Sequence, residues 1–66
     1  MQRYYKVLDE TGNVLGVGPT ETAAIAAAAA AMSAGSKQHC AAMGITPLTV
    51  VENLVENGDY ELTVHD

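Results

Sequence analysis

Hydrophobic and polar positions alternate along the first stretch of the chain. Residues 3–9 read RYYKVLD, with Tyr5 and Val7 on one side and Tyr4, Lys6 and Leu8 on the other. A period of two carried by aromatic and β-branched residues predicts a strand. Glu10-Thr11-Gly12-Asn13 supplies the turn, since Gly and Asn readily take positive φ. Residues 14–17 return as a shorter strand that ends at Gly18-Pro19. The pattern then changes. Residues 20–35, TETAAIAAAAAAMSAG, combine the best helix former with a terminal glycine and predict a helix. Thr20 is its expected N-cap, and Glu21 places a negative charge on the positive end of the helix dipole. Ile25, Ala28, Ala29 and Met32 recur at i, i+3, i+4 and i+7, the stripe expected to cover the sheet.

Ser36 is the expected cap of a second helical segment over residues 37–43, closed by Gly44, with Cys40 and Met43 facing inward. The break is placed at Gly35, because Gly followed by Ser is a poor helix interior. Residues 46–57 read in two ways. Val50, Val51, Leu54 and Val55 fit a helix started by Thr46-Pro47 and stopped by Asn57-Gly58. The same Asn57-Gly58 fits a two-residue type I′ hairpin turn, which pairs Val55 with Tyr60, Asn53 with Leu62 and Val51 with Val64. That register faces Glu56 with Asp59, a like-charge pair. The β-branched run Thr49-Val50-Val51 and the apolar face of the register favour the strand. Residues 60–65 alternate and form a strand under either reading. The fold class is therefore α+β: a small antiparallel sheet with an Ala-rich helix packed on one face, in the order ββα(α)ββ, with ββααβ as the fallback.

Sixty-six residues make one domain, spanning 1–66, with no Phe or Trp and one Cys. A core this small supplies about 3–5 kcal/mol, which small domains commonly supplement with disulfides, metals or oligomerisation. A single cysteine excludes an internal disulfide, so a homodimer is one expectation. Ala23, Ala27, Ala30 and Ala34 form a second stripe where a surface helix normally carries Lys and Glu. Such a smooth face either is tolerated, because alanine exposes little area, or serves self-association by letting a second helix approach.

Charge narrows the partners. Eight acidic against three basic residues give a net charge of −5, which disfavours direct nucleic-acid binding, since that rests on Lys and Arg at phosphates. The acids fall in two groups, Asp9-Glu10 at the first turn and Glu52, Glu56, Asp59 and Glu61 around the last segment. They form either a solvated rim or a row of charges suited to the basic groove of a nucleic-acid-binding protein. Other chemistry is weakly represented. His39 and Cys40 are adjacent, so on a helix they point about 100° apart and do not make a base–nucleophile pair. No pair of candidate ligands has zinc-site spacing. Gly12, Gly16 and Gly18 lack the Lys and the clustering of a phosphate loop, and Glu21 would repel a phosphate. No metal or cofactor is expected, and a chain this short hardly encloses a ligand pocket of about 300 Å³. The N-terminal segment MQRYYKVLDE has no apolar signal-peptide core, and the apolar run at 23–32 is half a membrane span, so the cytoplasm is the expected compartment, or a host cytoplasm.

In size, acidity and compact ββα layout the chain resembles the very small acidic proteins of phages and mobile elements, including anti-CRISPR inhibitors. That resemblance implies a non-enzymatic inhibitor of a host nuclease complex, imitating nucleic-acid charge with residues such as Glu52, Glu56, Asp59 and Glu61. The leading expectation is thus a protein-binding module directed at a basic partner. The alternative is a self-assembling module, joined through the alanine helix or a sheet edge.

Overall fold

In the computed structural model, which describes residues 2–66, the sheet has three antiparallel strands: β1 (Tyr4–Leu8), β2 (Val14–Gly18) and β3 (Glu61–His65). Between β2 and β3 run three helices, α1 (Glu21–Ala30), α2 (Ala34–Met43) and α3 (Pro47–Glu56). The strand order is β2-β1-β3, so the chain's last strand lies beside its first. The α+β class and the helix on one sheet face match the sequence reading. The order, ββαααβ, differs at one segment.

That segment is residues 46–57, which form a helix and not a fourth strand. Thr46 caps it, its Oγ1 accepting from the Thr49 N–H at 3.2 Å, and Pro47 takes the first helical position. Val51 is fully buried and Val50, Leu54 and Val55 are half-buried, so the covered positions follow the 3.6-residue period. The type I′ turn fails at Asn57, whose φ of −77° ends the helix; only Gly58 is left-handed, at φ 87°. Helix formation also replaces the direct cross-strand facing of Glu56 and Asp59 that the hairpin demanded. β3 consequently pairs with β1, matching Tyr5 with Val64 and Val7 with Leu62.

The alanine helix is shorter than the sequence suggests. It ends at Ala30, and Ser33, not Ser36, caps α2 by accepting from the Ser36 N–H. Gly35 falls in the first turn of α2, where its N–H has no helical partner to lose. Met32 leaves the helix but still packs on the core from the connection. Met43 is 65% exposed, so of the two inward residues expected from α2 only Cys40 is buried.

The expected stripe, Ile25, Ala28, Ala29 and Met32, faces the core, and α1 buries Ala24 beside it. Its fully covered residues are Ala24, Ala28 and Ala29, with Ile25 half-buried. The reason lies in β2, where Gly16 and Gly18 face α1. A methyl group on Gly16 would lie 2.3 Å from the Ala28 backbone nitrogen and 2.5 Å from the Ala24 carbonyl oxygen. One on Gly18 would lie 2.7 Å from Ala23. Two glycines on one strand face and alanines one turn apart bring the helix backbone directly onto the strand. Tyr5, Val7 and Leu62 continue that face, and Val7 has no exposed surface.

Candidate functional site

The register of the sheet gathers the acidic residues. β1 runs toward its turn, which carries Asp9 and Glu10, and Leu8 at its end pairs with Glu61, the first residue of β3. The chain enters β3 from α3 through residues 57–60, which places Asp59 and Glu56 at this same end. Glu52 lies one turn back along α3, about 6 Å away along its axis. Glu10, Glu52, Glu56, Asp59 and Glu61 are all exposed. The structure thus joins at one end the two groups of carboxylates that lie far apart in the sequence.

Two helix termini reinforce the charge. α1 advances over β2 from Gly18 toward Gly16, and so ends on the turn side of the sheet. α3 ends there too. A helix C-terminus carries about half a negative charge, and neither last turn holds a basic residue. Glu56 goes further: it is the last residue of α3, a carboxylate on the negative pole. That arrangement costs stability locally.

Asp9 differs from its neighbours. Its Oδ1 accepts from the Thr11 hydroxyl at 2.7 Å and from the Thr11 and Asn13 N–H groups at 2.9 Å each. The Thr11 hydroxyl bond, followed by these backbone bonds, holds the Asp9 carboxyl below its ordinary pKa. Asp9 is therefore committed to closing the β1–β2 turn, which narrows the sequence-level candidates to the other five acids. At the opposite end Arg3 Nε donates to Asp66 at 2.9 Å, the ion pair present among the described residues. Among the described residues none of the five carboxylates has a cationic partner within salt-bridge distance.

The proposed self-association stripe is dispersed. Ala23 and Ala27 lie against the β2 glycines, Ala30 is exposed, and Ala34 begins a different helix. The exposed line along α1 is Thr22, Ala26 and Ala30. The stripe assumed one helix through residue 34, and the break after Ala30 removed that premise. The glycine contact escaped the sequence reading, although Gly16-Val17-Gly18 beside an alanine helix was a legible signal for close approach.

The remaining chemistry is sparse. Cys40 is buried and its neighbour His39 is exposed. Among the described residues no three His, Cys, Asp or Glu side chains are grouped to hold a metal ion. A shallow cleft of about 240 Å³ opens between α1, the start of α2 and α3, lined by Leu15, Met32, Ser33, Val51, Leu54 and Tyr60 among others. It is smaller than the usual small-molecule site of about 300 Å³ and upward. On the sheet face away from the helices, Tyr4 stacks on His65 with ring centroids 5.1 Å apart, and Lys6 Nζ stands 5.7 Å from the Tyr4 ring centre. The Thr63 hydroxyl and His65 Nε2 are 3.0 Å apart. Among the described residues no helix is long and apolar enough to cross a membrane. Comparison with protein-family models, curated proteins and solved structures gives no match.

Proposed function

We propose that the protein is a non-catalytic binding module whose acidic end engages a basic surface on another protein, in its most specific form the nucleic-acid groove of a host complex. The observation that carries this reading is the coincidence of five exposed carboxylates with the C-termini of α1 and α3. Each source of negative potential is modest alone. Together they concentrate negative charge toward one end of the molecule, which a phosphate-binding groove would complement. Glu56 strengthens the case, because a carboxylate at a helix C-terminus opposes the fold's own electrostatics, and such local conflicts concentrate at functional positions. Inhibition follows physically from occupancy: a protein seated on the basic groove excludes the nucleic acid. The resemblance to small phage-borne inhibitors of nuclease complexes points in the same direction.

The test is retention of proteins from the heparin-binding fraction of a lysate of the cells that carry the gene. The wild-type chain is compared with a variant carrying Glu10→Gln, Glu52→Gln, Glu56→Gln and Asp59→Asn. These four leave Asp9 in its turn and β3 intact. The wild type is expected to hold a basic protein that a competing oligonucleotide displaces, and the variant to lose at least tenfold of that retention. Equal retention by both chains, or retention that the oligonucleotide leaves untouched, would contradict the proposal.

A further inference from the structure

The outer edge of β3 is open. The strand lies at the margin of the sheet, and of the other elements only β1 packs closely against it. α1 rides over β2 and β1, so Val64 stays 55% exposed although it points to the helix side. Proline, lysine and bulges, three devices that ordinarily blunt an edge, are missing. Glu61–His65, ELTVH, contains no proline, lysine or glycine, and its register with β1 is unbroken. β2, the opposite edge, has a register shift, two glycines and a following proline.

The five residues of β3 are also complementary to themselves. In an antiparallel pairing centred on Thr63, Glu61 of one copy faces His65 of the other, Leu62 faces Val64, and Thr63 faces Thr63. A parallel pairing in register would instead set Glu61 against Glu61, which is unfavourable. We infer that β3 joins a second copy of this chain edge to edge, giving a two-fold dimer with a continuous six-stranded sheet, β2-β1-β3-β3-β1-β2. Every position then meets a suitable partner. The exposed Val64 is covered by Leu62 of the second copy, extending the row that already contains Tyr5. On the uncovered face the Glu61–His65 pairs continue the Tyr4–His65 stack. Such an interface is isologous and closes, so growth stops at two chains. Backbone hydrogen bonds along the strands supply affinity, and the side-chain rows fix the register. A pairing of two five-residue strands belongs to the small, transient class of interfaces, below about 1,200 Å² in total. This inference does not rest on the acidic-end reading, although Glu61 belongs to both: the dimer draws Glu61 to the seam and carries Glu10, Glu52, Glu56 and Asp59 of the two chains at opposite ends of the joined sheet.

Sedimentation velocity on the full chain tests it, with circular dichroism confirming that each variant keeps its fold. The wild type is expected to pass from monomer to dimer between about 1 µM and about 500 µM, as suits a small interface. Glu61→Lys and His65→Glu should each weaken dimerisation at least tenfold. Mixed in equal amounts they should recover it as a dimer of one chain of each kind, because the new lysine meets the new glutamate while the unaltered Glu61 still meets the unaltered His65. Val64→Lys, a change at an exposed position, should abolish pairing. A wild type that stays monomeric at about 500 µM overturns the inference, as do single variants that dimerise like the wild type or a mixture that remains monomeric.

Discussion

β1 has two neighbours, and they are built in opposite ways. β2 has surrendered its side chains to the fold: Gly16 and Gly18 form a floor on which α1 lies backbone to backbone. β3 keeps a full set of side chains, yet no helix packs closely over it. The acids follow the same division. Asp9, in the turn beside β2, spends its carboxylate on three hydrogen bonds within the loop. Glu56, on the way into β3, sits where the helix dipole repels it. The difference teaches that one side of the sheet is spent on internal cohesion, while the other leaves its side chains and its edge uncovered.

The largest expected effect breaks the cohesive side. Gly16→Ala forces a methyl group to within 2.3 Å of a helix backbone atom, which no rotamer change relieves. The cost is about 3 kcal/mol or more, close to the whole stability of so small a domain. Thermal denaturation should show a melting temperature lowered by about 12 °C or more, or no cooperative transition at all. Val64→Ala, on the same sheet face of the open strand and opposite Tyr5, should cost about 0.5 kcal/mol or less at a concentration where the chain is monomeric. Equal losses from the two substitutions would erase the distinction.

A smaller effect of opposite sign sharpens it. Glu56→Gln removes a carboxylate from the negative end of α3, so the melting temperature should rise, by about 0.5 kcal/mol in stability at low salt. The same variant should bind the basic partner less well. A gain in stability coupled to a loss of binding is the signature of a residue retained for contact; a drop in stability would assign Glu56 to the fold.

Asp9 gives the smallest effect, read against pH. Its folded carboxyl is more acidic than an unfolded one, held so first by the Thr11 hydroxyl. Its contribution is therefore complete above the ordinary Asp value of about 3.9 and disappears as pH falls through the lower folded value. Asp9→Asn should lose stability at neutral pH and show a shallower decline between about pH 4 and pH 2. An acid limb identical to the wild type's would show that the Asp9 bonds add nothing.

Much of this architecture was legible in the sequence. The β1–β2 hairpin, the cap at Thr20, the buried Cys40 and the alternation of β3 all followed from local chemistry. Residues 46–57 were harder, because Val50, Val51, Leu54 and Val55 fit a helix while the β-branched run Thr49-Val50-Val51 favours a strand, and Asn57-Gly58 serves both a hairpin and a helix stop. Only tertiary context separates them: Val51 and Val55 pack with α1 on the core, and β1 was free to accept β3. The acidic site divided similarly. Its residues were visible as two charge groups, but their union at one end depends on the Leu8–Glu61 pairing, which no local pattern encodes. The exclusion of Asp9 required hydrogen bonds that sequence does not display.

The most direct measurement is the salt dependence of binding to the basic partner, wild type beside the chain with Glu10, Glu52, Glu56 and Asp59 neutralised. Raising salt from about 50 mM to about 500 mM shortens the screening length from roughly 14 Å to roughly 4 Å. If the acidic end carries recognition, wild-type affinity should fall steeply across that range, while the neutralised chain binds weakly and changes little. Affinity that is independent of salt, or the same steep fall in both chains, would contradict the account.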